Sequence, residues 1–141
     1  MKKKKKKFRR RMFTRYLIKS LMREKVKNIR IKNGWVSLEY DGEKIRNKII
    51  SKKHEWFVGS WAKTRGKVYI DNDLKGGKDR DAVAVHETIE KFVADKYGLD
   101  EDTDAHRIAT KKEREYLEKI GGDWRSHQMK VTKVWMREGK K

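Results

Sequence analysis

The sequence predicts an α+β domain: a basic N-terminal helix, a small antiparallel sheet, then an antiparallel pair of helices carrying a His-Glu motif. Three observations predict it. Apolar residues alternate with polar ones around Asn33-Gly34 and Asp41-Gly42, the strongest short-range sign of β-hairpins. Two later stretches, 81–97 and 103–120, place apolar residues at helical spacing between start and stop chemistry. Charge is also lopsided: residues 1–38 hold a single acid, Glu24, whereas most Asp and Glu fall between Asp71 and Asp123.

A chain of 141 residues suits one domain with a modest core. The expected division is a basic arm and helix over 1–25, a single α+β domain over 26–136 and a basic tail over 137–141. A hydrophobic share of 35% against 43% charged means a small core wrapped in ions. Without Cys, disulfides and thiolate zinc sites are excluded, and redox chemistry names no compartment. Abundant Lys and Glu with no Cys is the composition associated with hyperthermophile proteins. No apolar run is long enough to span a bilayer, and the basic start lacks the apolar core of a secretory signal. The expected location is therefore cytoplasmic or virion-associated.

Taken in order, Lys2, Lys3, Lys4, Lys5, Lys6 and Lys7 form a homopolymeric run that Arg9, Arg10 and Arg11 continue. Like charges at this density repel, so the run is expected to be disordered when free. Two readings stay open for it: an arm holding nucleic acid or another polyanion through salt-sensitive phosphate contacts, and a solubilising tail. Phe13, Tyr16, Leu17, Ile18, Leu21 and Met22 predict a helix from about Arg10 to Lys25, with apolar positions spread around it. Such a helix could pack on the domain, lie on a nucleic acid or membrane surface, or meet a partner.

From Val26 the period is two. Ile29 and Ile31, then Val36, Leu38 and Tyr40, then Ile45 predict a three-stranded meander ending near Ile50. Trp56 to Trp61 and Lys67 to Asp71 predict a second strand pair, with Gly66 in the turn. His54, in charged company before that pair, reads as a solvated surface residue. Leu74 to Lys78, with Gly76-Gly77, is a link; Asp79 or Asp81 caps the first motif helix, and Gly98 ends it. Asp100 to Thr103 offers the next N-cap, and Gly121-Gly122 stops the second helix. Met129, Val131, Val134 and Trp135 read as a closing strand, and His127 as structural or exposed.

The two helices carry the chemistry. At about 100° per residue, Ala82, Val85, Ile89, Phe92, Val93 and Tyr97 share one side of the first, with His86 inside that arc and Glu90 at its edge. On the second, Ala105, Ala109, Tyr116, Leu117 and Ile120 surround His106 and Glu113. Helices joined by a short link are usually antiparallel neighbours, so the arcs should face each other. A buried imidazole or carboxylate must be paired, hydrogen-bonded or bound to metal. Singly, His86 reads as a satisfied core histidine and Glu90 as a salt-bridged surface residue. All four together read as a site for a divalent ion, with zinc favoured.

His86 and Glu90, at i and i+4, can reach one ion. Glu87 stands where His-Glu-x-x-His zinc peptidases hold the base that activates water. Glu90 replaces their second His, and His106 arrives from the next helix. Glu113 would be a fourth ligand closing the site, or an acceptor orienting His106.

Val68-Tyr69-Ile70-Asp71, Val85-His86-Glu87-x-x-Glu90, Gly98-Leu99 and Ala105-His106-x-x-Ala109 with Glu113 resemble a group of small proteins from phages and archaeal mobile elements. A strand pair leading into a His-Glu helix is also similar to the minimal core of zincin metallopeptidases, whose edge strand holds an extended substrate. The resemblance covers roughly Trp56 to Leu117 and leaves both basic ends outside it. It implies a metal-binding, hydrolytic domain and carries no established substrate. The first reading of the residues is a zincin-like domain holding one divalent ion, with a peptide laid beside Lys67–Asp71 as substrate. The alternative is a non-enzymatic nucleic-acid-binding protein whose metal or polar cluster staples the helices together.

Overall fold

In the computed structural model the described residues are 2–52, 59–61, 66–75 and 77–139, with side chains over 13–52, 66–75 and 77–136. His54 and the expected turn at 62–65 lie outside them. The meander forms as its turn residues require: β1 (Lys27–Lys32), β2 (Trp35–Tyr40) and β3 (Glu43–Lys52) are antiparallel neighbours. Asn33 and Gly34 have φ of 54° and 77°, and Asp41 and Gly42 have 53° and 73°. Two successive positive φ angles are what a type I′ hairpin demands, and its twist matches that of the flanking strands.

β4 (Gly59–Trp61) and β5 (Lys67–Asp71) pair antiparallel, as the sequence predicts. The junction is what alternation could not supply: β5 runs parallel to β3, giving one mixed sheet in the order β1-β2-β3-β5-β4. Lys67–Asp71 is therefore an inner strand with both sides paired, so an extended peptide cannot add to it. Among the described strands the edge on that side is β4.

One face of the sheet, carrying Val36, Leu38, Tyr40, Val68 and Ile70, is buried. Against it packs α2 (Lys78–Tyr97), through Val85, Ile89 and Val93. Asn47, the polar member of this face, is buried and donates to Thr88 Oγ1 at 3.3 Å. α3 (Asp104–Lys119) lies beside α2, and α4 (Trp124–Gly139) follows. Gly98 ends α2 in the left-handed region at φ 65°. The start of α2 departs from expectation: Gly77 occupies the cap position, and Asp79 spends its carboxylate on His127 and Lys130.

α1 (Lys2–Arg23) is longer than the sequence implies, running as helix through the lysine run expected to be disordered. Ile18 and Leu21 bury themselves against the domain, and no Gly or Pro interrupts 2–23, so a helix nucleated at the anchored end can propagate. Lys112 of α3 fixes that anchor: its buried Nζ donates to the carbonyls of Met22, at 2.9 Å, and Glu24. A cation there meets the orphan carbonyls of the helix end. Among the described residues no helix is long and apolar enough to cross a membrane.

The closing strand is not formed; residues 124–139 are helical. Asp123 accepts from Ser126 N at 2.8 Å, an N-cap that starts α4. Trp124, His127, Val131 and Val134 then turn inward at spacings of three and four, a period that overrides the partial alternation at Met129, Val131 and Val134.

Candidate metal centre

α2 and α3 bring the predicted residues together, in an order the sequence only partly gave away. His86 Nε2 lies 2.9 Å from Glu90 Oε2, and the same oxygen lies 3.1 Å from His106 Nδ1. The two imidazoles meet edge to face, with centroids 4.8 Å apart. Potential ligand atoms of His86, Glu90 and His106 all fall within 4.8 Å of one another. A divalent ion could sit among two nitrogens and a carboxylate at that spacing, a donor set that suits zinc.

The seam is not dry throughout. His86 is 6% exposed and the Glu90 side chain 12%, but the His106 side chain is 56% exposed. α3 buries Ala105, Ile108, Ala109, Lys112, Glu113 and Leu117, so its inward face is centred away from His106. His106 stands at the margin, and the site opens there.

Glu113 does not orient His106. Its Oε1 is 2.7 Å from His86 Nδ1, and its Oε2 is hydrogen-bonded to His127 Nε2. His127 Nδ1 faces Asp79 Oδ1 at 2.8 Å, and Lys130 Nζ donates to Asp79 Oδ2 at 2.9 Å. A chain of polar contacts therefore runs from His86 through Glu113, His127 and Asp79 to Lys130. Glu113 can hold the His86 ring with Nε2 facing Glu90, the carboxylate-to-histidine support typical of zinc sites.

His127, read as structural or exposed with no partner at helical spacing, proves structural: it is buried between the carboxylates of Asp79 and Glu113. The missed signal was its place on a helix: the residue lies one turn past Asp123 and on the side of Val131 and Val134.

Electrostatics follow from the contacts. Burial disfavours charge on His86 and on His127, yet hydrogen bonds to Glu113 and Glu90, and to Glu113 and Asp79, raise both above the ordinary histidine value. Burial would raise Glu113 too, but its bonds to His127 and His86 hold it below the usual carboxylate value. Glu87 differs. Buried, with Glu90 and Glu113 nearby, it is pushed up to about 8 despite the opposing pull of His86, and among the described residues its Oε2 has no hydrogen-bond partner.

His86, Glu87, His106 and Glu113 line a cleft of about 390 Å³, walled on its far side by Trp124, Val131 and Trp135. Its size is that of a small-molecule or side-chain pocket, and both His106 and Trp135 reach solvent at its rim.

No protein-family model, curated protein or solved structure matches the chain.

Proposed function

We propose that the chain is a zincin-like metal-binding domain in which His86, Glu90 and His106 hold one divalent ion, zinc by donor chemistry, for hydrolysis of an amide. The observation that carries the reading is the convergence of those three side chains beside a cleft that His86 and His106 line, with Glu113 bonded to the ring of His86. An ion in such a site polarises a carbonyl and acidifies water. Glu87, next to the ligand and lining the cleft, would in its ionised form take the proton from water and return it to the leaving amine; burial favours its protonated form, and a cation held by His86, Glu90 and His106 would favour the ionised one. Trp124, Val131 and Trp135 would receive an apolar side chain of the substrate. A peptide reaching this cleft would lie along the helices, since β5 has no free edge.

Metal analysis of protein purified without an affinity tag tests the reading. About one ion per chain is expected, with zinc binding lost in His86→Ala and weakened in His106→Ala. A protein that neither carries nor takes up zinc, cobalt or manganese overturns it.

The non-enzymatic alternative, in which the polar cluster only joins α2, α3 and α4, is supported by the length of the buried polar chain and by the net charge of +19.

A further inference from the structure

The sheet has a second face, opposite α2, and its composition is unlike the rest of the molecule. Strand alternation places Trp35, Ser37 and Glu39 of β2 there, opposite Lys48, Arg46 and Lys44 of β3. On β1 the same rows continue with Lys32 and Arg30, and on β5 with Lys67 opposite Lys48. Arg30, Lys32, Lys44, Arg46, Lys48 and Lys67 are all exposed, and Glu39 is the acid among the residues of these rows. Like charges directly across a ladder, as at Lys48 and Lys67, cost stability. Such a row is accounted for by an anionic partner.

Two half-buried aromatics lie in this cationic field. The guanidinium of Arg46 sits 4.0 Å above the Trp35 ring, and Lys52 Nζ lies 5.3 Å from the Tyr69 ring. Beside them a groove of about 470 Å³ is lined by Arg30, Ser37, Glu39, Lys44 and Arg46. Trp35 and Tyr69 are on strands two apart and two residues out of row, which separates their backbones by roughly 12 Å from strand spacing and rise. Bases stacked in a duplex are about 3.4 Å apart along a strand, so only a strand with splayed bases could reach both rings.

We propose that this outer sheet face binds single-stranded nucleic acid, with bases stacked on Trp35 and Tyr69 and phosphates held by Arg30, Arg46, Lys48 and Lys67. Aromatic platforms rimmed by cations bind single strands in this way with little sequence preference. The site is independent of the metal reading and lies on the other side of the sheet from it.

Fluorescence anisotropy of labelled oligo-dT, oligo-U and a duplex of equal length tests the proposal on the full chain. Trp35→Ala is expected to weaken single-strand binding about tenfold and leave duplex binding unchanged. Arg46→Ala should reduce the slope of log affinity against log salt by about 0.7. A chain with Lys2 to Lys7 replaced by Ser separates arm from sheet, and the tenfold effect of Trp35→Ala should persist in it. Tighter binding of oligo-U assigns RNA, and tighter binding of oligo-dT assigns DNA. Trp35 is only half-buried, so circular dichroism should show each variant folded. Single-strand binding unchanged by Trp35→Ala, or a loss confined to anionic phospholipid vesicles, overturns the proposal.

Discussion

On the helix side of the sheet, acids and imidazoles alternate so that Glu90, Glu113 and Asp79 each meet a histidine. On the outer side Arg30, Lys48 and Lys67 stand exposed with Glu39 as the acid of their rows. The difference lies in what each arrangement lacks. Every ring nitrogen of His86 and His127 meets a carboxylate, so the buried part of the inner site is matched charge for charge and opens only toward the exposed His106. Glu39 apart, the outer rows carry cations without matching acids across them. The sheet thus separates a buried, charge-matched cluster from an exposed, one-signed face.

The sharpest way to separate the two is Glu87→Gln. Hydrolysis of a cleavable peptide is expected to fall about 10²- to 10⁴-fold, the usual contribution of a general base. Zinc content and oligonucleotide affinity should hold. Loss of zinc along with hydrolysis would instead make Glu87 a ligand.

A smaller effect is expected from Glu113→Gln, which removes the carboxylate from the Nδ1 side of His86. Zinc affinity should drop about 10- to 100-fold, as for other carboxylates that support a ligand histidine, while nucleic-acid binding stays constant. Competition with a chromophoric chelator measures the first, and anisotropy the second. An unchanged zinc affinity would place Glu113 in the scaffold alone.

The subtlest test is the pH dependence of urea unfolding in metal-free protein. His86 and His127 are raised above 6.5, so their contribution is full below that value and is lost as pH rises through their folded values. Glu87, raised from 4.5 to about 8, keeps a proton that the unfolded chain releases, so stability falls between those values and then levels. Glu113, lowered from 4.5, contributes stability above that value and loses it as pH falls through its folded value. Stability should therefore be greatest at about pH 5 and decline towards alkali. Glu87→Gln should remove the part of the decline between 4.5 and 8, leaving the histidine part.

Where local rules act, the sequence was readable. Asn33-Gly34 and Asp41-Gly42 set their own turns, Gly98 set its own cap, and the i, i+4 pair of His86 and Glu90 needed only a helix to meet. The parallel pairing of β3 with β5 was not readable, because no residue between them encodes which strand a hairpin will join. Ile108 gives away the true inward face of α3: counted with Ala105 and Ala109, it turns that face away from His106. His127 was lost with α4, since Met129 and Val131 alternate like a strand while Val131 and Val134 keep helical spacing, and the Asp123 cap decides between them.

Asp79 and Glu113 hold His127 between the opening turn of α2 and the middle of α3, so one buried ring pins α4 to both helices. Glu113 meets His86 with one oxygen and His127 with the other, so α4 helps to set the aim of a carboxylate on α3 and, through it, of a ring on α2. A chain cut before residue 124 would keep His86, Glu90 and His106 and lose the clamp on the Glu113 carboxylate.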